Sequence, residues 1–213
     1  MDNILLLRKP KGVTSFDVIR ALRRELGIKK MGHAGTLDPL ATGLLIIGIN
    51  EGTKKLKDFI GLSKEYIAEI KLGTKTDSGD MEGNILEEQP VSEISEEKIK
   101  KALKEMERAL ELPVPVYSAV KRGGKPLYKY AREGKEITPP IKKMEVYEAE
   151  LLKKEKNILS VRFSVSSGTY VRSLAEELAK RLGTIGTLQN LIRTRIGEFK
   201  LEDARDIEIA PRI

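Results

Sequence analysis

The run Gly32 to Leu45, Gly-His-Ala-Gly-Thr-Leu-Asp-Pro-Leu-Ala-Thr-Gly-Leu-Leu, constrains the fold more than any other stretch, because it sets one carboxylate, Asp38, between permissive glycines and an apolar run. Gly32, Gly35 and Gly43 admit tight or positive-φ backbone, and Pro39 pushes Asp38 toward an extended conformation. Leu44 to Ile49 then reads as a buried strand. The segment is predicted to expose a single acid at the end of a loop. An Asp-Pro pair is also common in ordinary turns, where the carboxylate satisfies nearby backbone N–H groups, so its neighbours must decide its role.

Around this loop the pattern alternates between strands and helices. Asn3 to Leu7 reads as a strand closed by the turn Lys9-Pro10-Lys11-Gly12. Thr14 or Ser15 can cap a helix whose face carries Val18, Ile19, Leu22 and Leu26, with Gly27 placed to end it. Glu65 to Leu72 alternates, with Tyr66, Ala68, Ile70 and Leu72 on one face. Ser95 caps a second helix with the stripe Ile99, Ala102, Leu103, Met106 and Leu110, which Pro113 and Pro115 are expected to break. Met144 to Leu152 and Ile158 to Val165 are two strand candidates, and Tyr170 to Leu182 is a third amphipathic helix ending at Gly183. The economical architecture is one α+β domain on a mixed, mostly antiparallel central sheet flanked by helices and loops.

Charge and composition narrow the function. The 213 residues are 40% hydrophobic, and no apolar stretch approaches the ~20 residues of a membrane span, so a cytoplasmic, globular protein without membrane association is expected. Zero cysteines exclude a disulfide framework and thiolate metal sites, and one histidine leaves no zinc constellation. Of the net charge of +7, residues 121–143 carry +6 through Lys121, Arg122, Lys125, Lys129, Arg132, Lys135, Lys142 and Lys143 against Glu133 and Glu136. Tyr128, Tyr130 and the Gly123-Gly124 pair interleave with these charges. That composition suits a mobile element that grips phosphates and stacks on unpaired bases, with little regular structure of its own. A lysine-rich solvated loop is the plainer alternative.

The Gly32–Leu45 run resembles the catalytic loop of the TruB family of tRNA pseudouridine synthases, in its bacterial branch, with Ala34 a departure where Thr or Ser is expected. The resemblance extends over roughly nine tenths of the chain through Lys64-Glu65-Tyr66, Thr76-Asp77-Ser78-Gly79-Asp80-Met81-Glu82-Gly83, Ser167-Gly168-Thr169-Tyr170-Val171-Arg172-Ser173 and Thr187-Leu188-Gln189-Asn190-Leu191-Ile192-Arg193. It implies a pseudouridine-synthase-like fold with Asp38 as the essential catalytic residue. It further implies that Tyr66 stacks on a flipped base and is a candidate for moving a proton on the sugar. Arg172, at a helix start where a cation opposes the helix dipole, needs an acid. Glu176 is the local choice, and Asp38 is the one the resemblance implies.

Tyr170 is placed by the resemblance against substrate, Leu191 beside the target base, Asp80 in support of the site, and His33 within the RNA loop. Lys64, together with Lys121, Arg122, Lys125, Lys129 and Arg132 of the basic window, completes the expected RNA contacts. The implied substrate is the uridine at position 55 in the TΨC arm of tRNA, with no cofactor, no metal and no obligate protein partner, acting as a monomer. The implied organisation is a single catalytic domain over residues 1–213 with a basic insert at about 117–143 and no complete C-terminal PUA-like RNA-binding domain. The alternatives are a guide-RNA-dependent subunit and a non-catalytic RNA-binding or RNA-folding module.

Overall fold

A computed structural model describes residues 3–207. The first third of the chain forms β1 (Ile4–Lys9), α1 (Ser15–Leu26), β2 (Met31–Ala34), β3 (Thr42–Ile49), α2 (Leu56–Ile60) and β4 (Lys64–Leu72), with a 3-10 turn at Asn50–Lys55. The middle contains β5 (Thr74–Thr76), β6 (Ile85–Glu88), α3 (Glu96–Met106), β7 (Ala109–Pro113), β8 (Lys121–Arg122), β9 (Lys125–Pro126) and α4 (Leu127–Arg132). The last part holds β10 (Ile141–Glu155), β11 (Ile158–Val165), α5 (Val171–Leu182), β12 (Gly186–Ile196), β13 (Phe199–Lys200) and β14 (Arg205–Asp206). No helix among these residues is long and apolar enough to cross a membrane.

The chain divides into two compact units, residues 1–67, 164–168 and 191–213 in the first and residues 68–163 and 169–190 in the second. In the first unit β3 is the central strand. It pairs antiparallel with β1, and its other edge takes β12 in parallel at Thr42 and Gly43 and β2 antiparallel at Ile46–Ile49. Leu45, Ile47 and Ile49 of β3 pack with Val18, Ile19 and Leu22 of α1, while Leu44 and Ile46 pack on the opposite side with Leu56, Ile196 and Phe199. Burial on both faces is why this strand is apolar without alternation. Helix α1 is fixed locally by a capping box, in which the Thr14 hydroxyl accepts from the Asp17 N–H while Asp17 accepts from the Thr14 N–H, and by Gly27 in the left-handed region at its C-terminus.

In the second unit β10 pairs antiparallel with β7, with α3 packed against β10 and α5. Helix α3 begins at the Ser95 cap as expected but ends at Met106, and Leu110 lies on β7 opposite Met144 of β10. The prolines therefore do not end the helix. Glu107 leaves helical geometry at ψ 68°, and the chain gains a strand whose partners, from Pro113↔Ile141 to Ala109↔Glu145, lie 28 to 36 residues away. The basic window is also more regular than its composition suggests. Lys121–Arg122 and Lys125–Pro126 form a two-stranded hairpin across Gly123 and Gly124, both at positive φ, and Leu127–Arg132 is helical. Lys142 and Lys143 lie on β10, paired with Leu112 and Glu111.

Candidate active site

Asp38 lies in the loop that leaves β2 at Ala34 and returns into β3 at Thr42, and that loop is tethered on each side of the acid. The Ser15 hydroxyl at the start of α1 accepts from the Leu37 N–H at 2.9 Å and faces the Leu37 carbonyl at 3.2 Å. The Pro39 carbonyl accepts from the Gly12 N–H at 2.8 Å, with the Lys9 ammonium 3.5 Å away. The Asp38 carbonyl itself accepts from the Ala41 N–H at 3.0 Å. Leu37 and Leu40 are buried while Asp38 is half-buried. A tight, tethered loop of this kind holds its acid within a narrow range of positions, which is what a catalytic carboxylate requires.

The other first-unit residues occupy strands. Tyr66 and Lys64 sit on the buried face of β4, at 8% and 5% exposure. The Lys64 ammonium donates to the carbonyls of Ile60 and Leu62, both at 2.6 Å, and lies 3.4 Å from the Ser167 hydroxyl. Burial, followed by the charge of Arg193, brings its pKa down to about 8. An expected RNA-facing lysine is thus a buried one whose donors go to protein oxygens. Leu191 on β12 is buried, and its carbonyl lies 3.5 Å from the Thr42 hydroxyl at the loop exit. His33 on β2 pairs with Ile47 of β3, and its Nδ1 is a buried atom with no hydrogen-bond partner. Burial, and then Arg193, lower its pKa.

In the second unit Arg172 lies in the first turn of α5, 5% exposed. Its guanidinium donates to the Ser78 carbonyl at 2.8 Å and the Tyr117 carbonyl at 3.0 Å. Within that unit its acid is Asp80, with Nε to Oδ2 at 3.7 Å and both side chains buried, and not Glu176 as the local alternative had it. Asp80 accepts from the Ser78 hydroxyl at 2.7 Å and the Glu82 N–H at 3.1 Å, and its backbone bridges to Leu188 of β12. The Glu176 carboxyl is raised by burial, against the lowering effect of Lys75 and Arg172. Tyr170 precedes α5, with its N–H on the Met144 sulfur and the Lys142 ammonium 5.5 Å from its ring centre.

The basic window ties part of its charge to itself. Lys125 and Lys135 pair with Glu133, Arg122 donates to the Thr138 carbonyl, Lys125 lies over the Tyr130 ring, and Arg132 lies over Tyr128. Lys121 and Lys129 remain exposed. Sequence reasoning passed over Arg193, Ser15 and Lys9. The signal for Arg193 was available, because on a strand it shares the face of buried Leu191 two residues earlier.

At the level of fold, this architecture is that of the pseudouridine synthases. A solved pseudouridylate synthase matches 99% of this chain and 70% of its own with a TM-score of 0.50 at 17% identity. The Cbf5 complex with Nop10 and Gar1 matches 96% of this chain and 52% of that chain with a TM-score of 0.76 at 29% identity. Within that class the model for the N-terminal domain of TruB family pseudouridylate synthases matches residues 23–171, and the chain belongs to the TruB family. The tRNA pseudouridine synthase B of Aromatoleum aromaticum is 43% identical over 204 residues, covering 96% of this chain and 66% of the relative. That of Geobacillus kaustophilus is 42% identical over the whole chain and 77% of the relative, and that of Endomicrobium trichonymphae 39% identical over the whole chain and 94% of the relative.

Proposed function

We propose that this protein isomerises uridine to pseudouridine in the TΨC arm of tRNA, at position 55, with Asp38 as the catalytic carboxylate. The reaction breaks the N1–C1′ bond, turns the base and rejoins it through C5, with the C5 proton released and N1 taking one up. It requires the base outside its stack. Asp38 serves by attack at C6, attack at C1′, or removal of a proton from C2′. Tyr66 and Tyr170 offer aromatic faces to the extruded base, Leu191 an apolar wall, and Arg172 a guanidinium that keeps the catalytic carboxylate ionised and oriented. Asp80 holds Arg172, His33 keeps the RNA loop open, and the basic window grips phosphates as a single protein in the cytoplasm, without a partner subunit.

The observation that carries this reading is the tethered loop with Ser15, Gly12 and Lys9 holding both neighbours of Asp38. It is joined by identities near 40% to relatives named as tRNA-modifying synthases. Purified protein is incubated alone with unmodified tRNA carrying 5-tritiated uridine, and tritium release is followed while the modified nucleotide is mapped. Stoichiometric release at one uridine of the TΨC loop is expected, and Asp38→Asn is expected to abolish it with tRNA binding retained. No release from free tRNA, restored by a guide RNA and partner proteins, would transfer the protein to the guide-dependent alternative. Binding without release under either condition would leave an RNA-binding module.

A further inference from the structure

The first unit contains a buried cation that none of the roles above uses. Arg193 is 1% exposed, and its hydrogen bonds run to two main-chain carbonyls, Nε to Leu44 at 2.8 Å and Nη2 to Gly35 at 3.1 Å. Among the described residues no carboxylate lies within ion-pair distance of it. A guanidinium without an acid is an expensive way to fill a core, and an apolar side chain of similar volume serves packing alone as well or better. Its acceptors indicate a different purpose. Gly35 stands where the Asp38 loop leaves β2, and Leu44 where that loop has re-entered β3.

The backbone of Arg193 reinforces the same junction. It pairs with Gly43, and a Cβ on Gly43 would stand 2.4 Å from the Arg193 carbonyl oxygen, so β12 packs against the loop exit more closely than any side chain would allow. One residue therefore fixes the exit through its main chain and joins entry to exit through its side chain. The planar fork of arginine reaches both carbonyls at once, whereas an ammonium on a flexible stem is a single point of charge.

We propose that Arg193 is a positioning residue for Asp38, a clasp across the two stems of the 35–44 loop that sets where the carboxylate stands. This rests on the assignment of Asp38 as the catalytic group. The clasp makes no demand on RNA affinity, so its loss separates chemistry from binding. A misplacement of about 1 Å at a reacting group is enough to cost roughly 100-fold in rate.

The test compares wild type, Asp38→Asn, Arg193→Lys, Arg193→Gln and Arg193→Met on unmodified tRNA, with the single-turnover rate measured at saturating enzyme and the tRNA Kd measured separately. Enzyme in excess makes the rate constant insensitive to the fraction unfolded, so a merely structural contribution lowers the melting temperature and leaves this rate unchanged. Arg193→Met is expected to lower the rate by roughly 30- to 100-fold with Kd within about threefold, and Arg193→Lys to recover part of it. If Arg193→Met does not fold, the decision passes to Arg193→Lys and Arg193→Gln. Folded variants with single-turnover rates within about threefold of wild type overturn the clasp, while inactive Asp38→Asn keeps the catalytic assignment. Wild type without turnover, or active Asp38→Asn, overturns both.

Discussion

Arg172 and Asp80 form a buried ion pair, Nε to Oδ2 at 3.7 Å, in which each partner is also held by its own hydrogen bonds. Taking one partner from such a pair leaves the other charged and desolvated, so Asp80→Ala is expected to destabilise the protein by about 3 kcal/mol in urea unfolding. Asp80→Asn keeps the oxygen that accepts from Ser78 and Glu82 and is expected to cost less, about 1–2 kcal/mol. Arg172→Lys loses the fork that reaches the Ser78 and Tyr117 carbonyls together. It should fall below wild type in both stability and turnover, while Arg172→Ala falls further.

Gly43 offers a sharper test of backbone geometry. Its φ is +108°, and a Cβ there would lie 2.4 Å from the Arg193 oxygen and 2.7 Å from the Arg193 nitrogen, both backbone atoms that cannot swing aside. Gly43→Ala is therefore expected to destabilise by at least about 2 kcal/mol. Gly12→Ala, with open space around its added methyl, carries only the backbone strain of positive φ and should cost about 1 kcal/mol. Thermal unfolding of the two variants checks the difference.

His33 gives a pH prediction that a single NMR signal reads, since the chain has one histidine. Burial and the nearby Arg193 charge hold its pKa below the ordinary value of 6.5, so the ring is neutral at pH 7. The unfolded chain then binds a proton more readily than the folded one between the folded pKa and 6.5. Stability is therefore expected to be full above 6.5 and to fall as pH drops through that window. Titration of the imidazole proton shifts should show a midpoint below 6.5, moving upward in Arg193→Met. Lys64 behaves in the same sense at higher pH. With its folded pKa near 8, the cost of burying its charge is relieved as pH rises from about 8 toward 10.5.

Much of this was legible in the sequence where the cause is local. The capping box of α1, the left-handed glycines after α1 and α5, and the unbroken apolar run of β3 all appear within a few residues of the elements they define. What escaped was set by distant pairing. Leu110 continues the i, i+4 spacing of α3 from Met106, yet it belongs to β7 because β10 is there to pair with it. Strand β2 is four residues with a glycine and no β-branched side chain, so only its register against β3 makes it a strand. The Gly123-Gly124 pair was a two-residue hairpin signal, masked by reading the window's glycines and prolines as limits on regular structure. Among the site residues, Asp38, Arg172 and Tyr66 stood in recognisable motifs. Arg193 did not stand out, because the Thr187–Arg193 run was read as a motif and not as a strand that sets Arg193 on the face of Leu191.

Tyr66 separates two contributions to the proposed chemistry. The residue is 8% exposed on the buried face of β4, so Tyr66→Phe keeps the ring packing and removes only the hydroxyl. If the hydroxyl moves a proton, single-turnover tritium release is expected to fall by about 100-fold or more with tRNA Kd unchanged. A rate near wild type would make Tyr66 a stacking surface alone.

The basic window makes the last prediction, and its internal pairing refines it. Lys125 is held by Glu133, and Arg122 reaches the Thr138 carbonyl, whereas Lys121 and Lys129 are exposed. Each phosphate contact contributes roughly 0.7–0.9 to the slope of log K against log salt, so neutralising Lys121 and Lys129 together should flatten the tRNA-binding slope by about 1.5. Extending the change to Arg122 and Lys125 should add less than that again, because those cations already have protein partners to leave. On the proposed role of the window as a phosphate grip alone, the single-turnover rate at saturating tRNA should stay near wild type in both variants. Binding slopes measured between 50 and 200 mM salt check this. An unchanged slope in the four-residue variant would move the RNA footprint off this hairpin and helix and leave them a solvated surface.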